Sequence, residues 1–129
     1  MTPVTTTKWI MVFIAIFLAF ALWTFIAPMS LAQNLGFHLP GNTGLNELRA
    51  NYGGMYIGIA LFLFISIRTP GMVRGAWLFL SLLLGGLAVG RFLSLLLDGM
   101  PGPALVFVMC MEIIAALLTF SFYRKEGEV

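Results

Sequence analysis

The chain has a single cysteine, Cys110, and a single histidine, His38. One thiol excludes an intrachain disulfide, and a lone loop histidine with no second ligand at metal spacing reads as a surface or interfacial residue. Charge is scarce. Only 9% of residues are Asp, Glu, Lys or Arg, against about a quarter in an average soluble domain. The formal net charge is +2 and no basic run or aromatic-rich basic patch is present, so nucleic acid is not an expected partner. There is no phosphate-binding Gly-rich loop, no Gly-x-Ser-x-Gly, no His-Glu-x-x-His and no histidine pair suited to haem. No cofactor, metal or catalytic residue is therefore expected. Linkers, low-complexity segments and internal repeats are also lacking, which leaves one domain over residues 1–129.

What the chain has in excess is apolar surface. Its 129 residues are 60% hydrophobic, with a mean hydropathy of +1.02. A core of this size cannot bury that much, because small domains have too much surface for their volume. Lipid must solvate the rest. Four apolar runs predict helices at about 9–26, 46–67, 76–97 and 103–122, each near the roughly 20 residues that span a bilayer. Strand alternation is absent, and helices satisfy their own backbone in hydrocarbon. The expected fold is all-α: a polytopic four-transmembrane-helix bundle.

The punctuation agrees. Pro28 ends the first run, and Asn42, Thr43 and Asn46 are candidate N-caps for the second. Thr69-Pro70-Gly71 predicts a turn, and Asp98-Gly99-Met100-Pro101-Gly102-Pro103 another, with prolines placed to open the last helix. Residues 27–45 stay apolar through Met29, Leu31, Leu35, Phe37 and Leu39, as expected of a short helix or cap on the membrane surface. Lys8, the first run and Ser30-Leu31-Ala32 mimic a signal peptide, but the run exceeds the usual 7–15 residues of such a segment. It is expected to stay as a membrane helix. Lys8, Arg68, Arg74, Arg124 and Lys125 fall on one side of a four-span layout, and the opposite loops carry no basic residue. The positive-inside rule then places both termini in the cytoplasm of a bacterium, the chain lying in its inner membrane. Trp9, Trp23 and Trp77 lie near span ends, where aromatic belts form. Cys110 reads as a small apolar filler, inert when buried.

The informative residues are the polar ones where lipid is expected. An ionisable group inside a span costs about 2.5–3.5 kcal/mol and normally pairs within the bundle. Helical rise puts Arg91 about 10 Å and Glu112 about 13 Å below the outer turn, with Tyr52 at a similar depth. Arg91, Ser94 and Asp98 share a face, as do Glu47, Asn51, Gly54 and Gly58. Glu112 shares one with Ala115, Ala116 and Thr119. Arg91 is expected to pair with Glu112, with Asp98 and Glu47 as the alternative partners. Gly54-x-x-x-Gly58 and Gly86-x-x-x-Gly90 are candidates for close packing of the second helix on the third.

Glu47-Leu-Arg49-Ala50-Asn51-Tyr52-Gly53-Gly54, Arg91-x-x-Ser94-x-x-x-Asp98-Gly99-x-Pro101 and Glu112 together resemble a bacterial four-helix membrane family, domain of unknown function 4345. The resemblance runs from the second helix onward, and the first helix matches only in hydrophobicity. It implies a fold and the positions of a polar cluster (Glu47, Arg49, Asn51, Tyr52, Arg91, Ser94, Asp98 and Glu112), but no activity. The layout is also similar to small quinone- and redox-associated four-helix membrane proteins of the DoxX type, by fold alone.

The functional expectation is a non-enzymatic membrane protein. It serves as an accessory or assembly subunit of a larger complex or homo-oligomer, or as a bundle that binds a small apolar ligand. The rival is a membrane enzyme or proton-coupled carrier using Glu112 for proton exchange and Arg91 to hold an anion or carbonyl. A purely structural ion pair is preferred over a ligand or proton role, and that over an interface with another protein.

Overall fold

In a computed structural model of the chain, the structure describes residues 3–126, with side chains from Thr6 onward. Among these the ordered elements are six α-helices and one π-helical segment. They are α1 (Pro3–Ile26), α2 (Pro28–Leu35), α3 (Gly41–Leu48), the π segment Arg49–Gly54, α4 (Met55–Arg68), α5 (Met72–Asp98) and α6 (Pro103–Lys125). The α3, π and α4 pieces form one helical stretch. Among the described residues four stretches are long and apolar enough to cross a membrane: Thr6–Ile26, Gly41–Arg68, Met72–Asp98 and Pro103–Lys125. They coincide with the four expected helices, and each is longer than its apolar run. Hydropathy marks the part that lipid covers, while backbone hydrogen bonding carries each helix on into its polar flanks.

The turns follow their residues. Pro28 occupies the first turn of α2, where its missing N–H costs nothing, and Gly36 closes that helix with φ 76°. Gly71 stands before α5 with φ 80°, a conformation glycine adopts without strain. Pro103 opens α6 behind Gly102. Residues 27–45, expected to hold a short helix, hold α2 and the first part of α3. The expected side-chain caps are corrected: Pro40 is the N-cap of α3, and no side chain caps it. The helix starts at Gly41, so Asn42 and Thr43 fall inside its first turn, too late to cap it.

The chain divides into two compact units, Thr2–Arg68 and Thr69–Val129. In the first, α1 lies along α4 and the π segment. Ile10, Phe13, Phe17, Ala21 and Thr24 are buried on α1, at spacings that keep them on one stripe. Ile59, Ala60, Leu63 and Ser66 are buried on α4. Phe17 meets Tyr56 edge-on with ring centroids 5.2 Å apart, a favoured aromatic geometry. Gly53 sits under the Phe25 ring, which a Cβ there would approach to 2.7 Å.

In the second unit, α5 and α6 form an antiparallel hairpin. Ser81 Oγ donates to the Ala116 carbonyl at 3.1 Å, and Gly85 faces the Ala116 methyl. Ala76, Trp77, Leu80, Leu84 and Ala88 are buried on α5, and Glu112, Thr119 and Phe122 on α6. Trp77 is fully buried and packs edge-on against Phe122 at 4.8 Å. This corrects its assignment to an aromatic belt: position 77 lies on the buried stripe of α5, one turn before Leu80. Trp9 and Trp23 are exposed. Cys110 is exposed as well, so it fills no core gap. The Arg74 guanidinium lies over the Tyr123 ring, 4.7 Å from its centroid.

Buried hydroxyls are satisfied within their own helices. Thr24 donates to the Phe20 carbonyl, Ser66 to Phe62 and Thr119 to Ala115, each at 2.8 Å. This is how a hydroxyl is accommodated where no water reaches it. The exposed surface is apolar to an extent water does not tolerate. Ile26, Leu82, Leu97, Phe107 and Leu117 are each more than 60% exposed, as expected of side chains facing lipid.

Candidate functional site

The eight polar residues divide evenly. Glu47, Arg49, Asn51 and Tyr52 lie in the first unit, and Arg91, Ser94, Asp98 and Glu112 in the second. Each set is built by different local chemistry.

In the second unit, Arg91 stands seven residues before the end of α5, and Glu112 nine residues after the start of α6. A short turn between antiparallel helices brings those positions level, about 10 and 13 Å along each axis. Arg91 Nε donates to Glu112 Oε2 at 2.8 Å, with side-chain accessibilities of 26% and 10%. The length is that of a strong, charge-assisted hydrogen bond. The pairing expected from depth and facing is therefore present. Asp98 instead accepts from the Ser94 hydroxyl one turn back, at 2.8 Å. Glu112 continues the buried α6 stripe with Thr119 and Phe122, so its carboxylate sits between packed helices rather than on the outer surface.

In the first unit, the π segment coincides with the most specific sequence block. The Met55 N–H bonds the Ala50 carbonyl, five residues back. Such single wide turns concentrate at functional sites. Gly53 and Gly54, poor helix formers, stand at the end of the segment. In a plain α-helix every fourth residue advances about 40° around the axis. A wider turn offsets that drift from Glu47 to Asn51 and from Leu48 to Tyr52, and Thr43 and Gly44 precede them by one turn of α3.

Those six residues form one wall of a groove of about 320 Å³, open to the outside; Phe37, Leu39 and Pro40 form the other. The walls are almost wholly apolar. Tyr52 stacks obliquely between Phe37 and Tyr56, with centroids 6.1 and 5.7 Å away. Asn51 Nδ2 donates to the Glu47 carbonyl at 3.0 Å and to Glu47 Oε2 at 3.2 Å. Arg49 lies two positions from Glu47, and i, i+2 residues do not face each other. Arg49 is exposed and makes no ion pair among the described residues.

Sequence reasoning singled out Glu47, Asn51 and Tyr52 but missed the groove. Phe37 and Leu39 were read only as apolar loop residues, and Thr43 as a cap. The signal that could have found it is the continuation of the Glu47–Asn51 row back to Thr43 and of the Tyr52 row back to Leu48 and Gly44. Gly54, Gly58, Gly86 and Gly90 are all exposed. A Cβ at Gly58, Gly86 or Gly90 would meet nothing within 4 Å. Inside the first unit the close approach falls at Gly53, beneath the Phe25 ring, and in the second unit Gly85 makes an ordinary contact with Ala116.

No characterised protein and no solved structure matches the chain. The sequence profile of the family described as Domain of unknown function (DUF4345) matches residues 5–123. That span includes the four membrane-length helices but for the last two residues of α6, together with the groove and the Arg91–Glu112 pair, and the chain belongs to this family.

Proposed function

We propose that this chain is a non-enzymatic protein of the bacterial inner membrane, with both termini cytoplasmic, that binds a small apolar ligand in the groove beside the π segment. The observation that carries this reading is the coincidence of three features at residues 43–52: an open apolar groove, a helix irregularity, and a polar pair at its edge. Binding sites are typically concave and apolar with a few placed polar groups. The Arg91–Glu112 pair serves as an intramembrane clamp between α5 and α6. The short contact and low accessibility of Glu112 favour that role over proton exchange. The exposed Gly86-x-x-x-Gly90 face of α5 supports a second role as an accessory subunit, since small residues let a partner helix or a second copy approach closely.

The groove is tested with dodecanol as the probe. In native mass spectrometry of the purified full chain from a neutral detergent, dodecanol adducts form on the wild type. Thr43→Trp, which fills the groove, reduces them at least about fivefold, a change equivalent to about 1 kcal/mol. Equal adduct formation in wild type and Thr43→Trp would remove the groove reading.

Orientation is tested separately. In a Cys110→Ser background, His38→Cys is expected to react with a membrane-impermeant maleimide from outside the cell. The prediction rests on five basic residues on one side of the spans and none in the opposite loops. Labelling only after access to the cytoplasmic face would invert the topology.

A further inference from the structure

The groove's polar edge is one-sided in charge, and the geometry points to a cationic, amine-headed amphiphile as its occupant. This rests on the proposed apolar-ligand reading and adds the chemistry of the head group. Among the nine residues that line the groove, Glu47 carries the only charge.

Asn51 does not offset that charge. Its Nδ2 is identified by the bond to the Glu47 carbonyl, because a carbonyl accepts only from a donor; the Oδ1 and Nδ2 ends are thereby fixed. That amide nitrogen donates to Glu47 twice, at 3.0 Å to its carbonyl and at 3.2 Å to its carboxylate. The polar atom Asn51 has left is Oδ1, an acceptor. A carboxylate has about four acceptor positions, so Glu47 keeps capacity for a strong donor after binding Asn51. Thr43 and Tyr52, which also line the groove, carry hydroxyls that accept as readily as they donate. The site therefore offers acceptors beside an apolar trough. A head group with N–H donors and a positive charge matches it, and a carboxylate or phosphate head meets repulsion.

One feature works the other way. The groove lies beside the first turn of α3, and a helix N-terminus favours anions. That terminus is equivalent to roughly half a positive charge, spread over its free N–H groups. Glu47 lines the groove and supplies a full negative charge at its rim, so the net preference is cationic. Arg49, on another side of the helix and outside the lining, does not reverse it.

The test uses three probes with one tail and different heads: dodecylamine, dodecanol and dodecanoate. Each is titrated against the full chain in neutral detergent and read by native mass spectrometry. Wild type is expected to bind the amine about tenfold more tightly than the carboxylate, as one charge-assisted hydrogen bond implies. Glu47→Gln is expected to erase that ratio. Arg49→Gln is expected to leave the ratio unchanged. Taking ratios between wild type and variant cancels the unequal partitioning of the probes into micelles. An amine preference that survives Glu47→Gln, or dodecanoate binding as tightly as the amine to wild type, overturns the head-group inference. If dodecanol binding still falls in Thr43→Trp, the groove reading stands without it. If no probe responds to Thr43→Trp, the groove reading fails too.

Discussion

Arg91→Met alone and Glu112→Gln alone are each expected to destabilise the α5–α6 hairpin by about 3–5 kcal/mol, and the double substitution is expected to recover part of the loss. The asymmetry follows from where the groups lie. Glu112 is buried on the face that α6 turns to α5, and the Arg91 Nε contact at 2.8 Å compensates its charge. Removing the Arg91 guanidinium leaves the buried Glu112 carboxylate without its charge-assisted partner, and neutralising Glu112 takes from Arg91 its 2.8 Å carboxylate contact. Replacing both by neutral groups removes the charge and its desolvation together, which in buried pairs is often close to neutral. The cycle is read as folded yield by size-exclusion chromatography and as the unfolding midpoint in mixed detergent micelles. Additive losses, with the double variant as poor as the sum of the singles, would mean that the two groups do not act as a pair. A double variant that folds well yet fails in a cellular assay would move the pair from clamp to functional site.

Much of this was legible beforehand because lipid simplifies the code. Four apolar runs at bilayer length predict four helices, and depth along the third and fourth identifies Arg91 and Glu112 as partners before any contact is seen. Asp98, the rival partner on the same face as Arg91, is one turn from Ser94 and bonds to it instead. What escaped depends on angles that hydropathy does not carry. When nearly all positions are apolar, a one-residue shift of about 100° separates a glycine beneath an aromatic ring from its exposed neighbour, as at Gly53 and Gly54 within the first unit. The π segment escaped because a period of 3.6 is assumed whenever a helix is read from pattern. The groove followed from that, since its wall needs Tyr52 in register with Leu48 and Phe37 turned back onto it from the preceding loop. The caps were misread because polar residues at the start of a membrane helix serve equally well as first-turn residues.

Trp77→Ala is expected to lower the stability of the second unit by about 3 kcal/mol, at the low end of the range for deleting a buried large aromatic. The low end applies because lipid tails solvate apolar groups as well as a protein interior does, so the transfer contribution that operates in water is largely absent. What remains is lost packing: Trp77 is fully buried and meets Phe122 edge-to-face, with ring centroids 4.8 Å apart. Trp77→Phe keeps a ring in the same place and should cost less than half as much as alanine. The aromatic contact itself contributes about 0.5–1.5 kcal/mol, which a Trp77→Ala, Phe122→Ala cycle resolves. Fluorescence separates this role from that of an interfacial anchor. With Trp9 and Trp23 replaced by Phe, the remaining indole should emit at short wavelength and resist quenching by acrylamide. A belt residue would show longer-wavelength emission, and its replacement by alanine would leave the unfolding midpoint nearly unchanged. That pair of results would return Trp77 to the membrane surface and remove the buried anchor at this end of the α5–α6 hairpin.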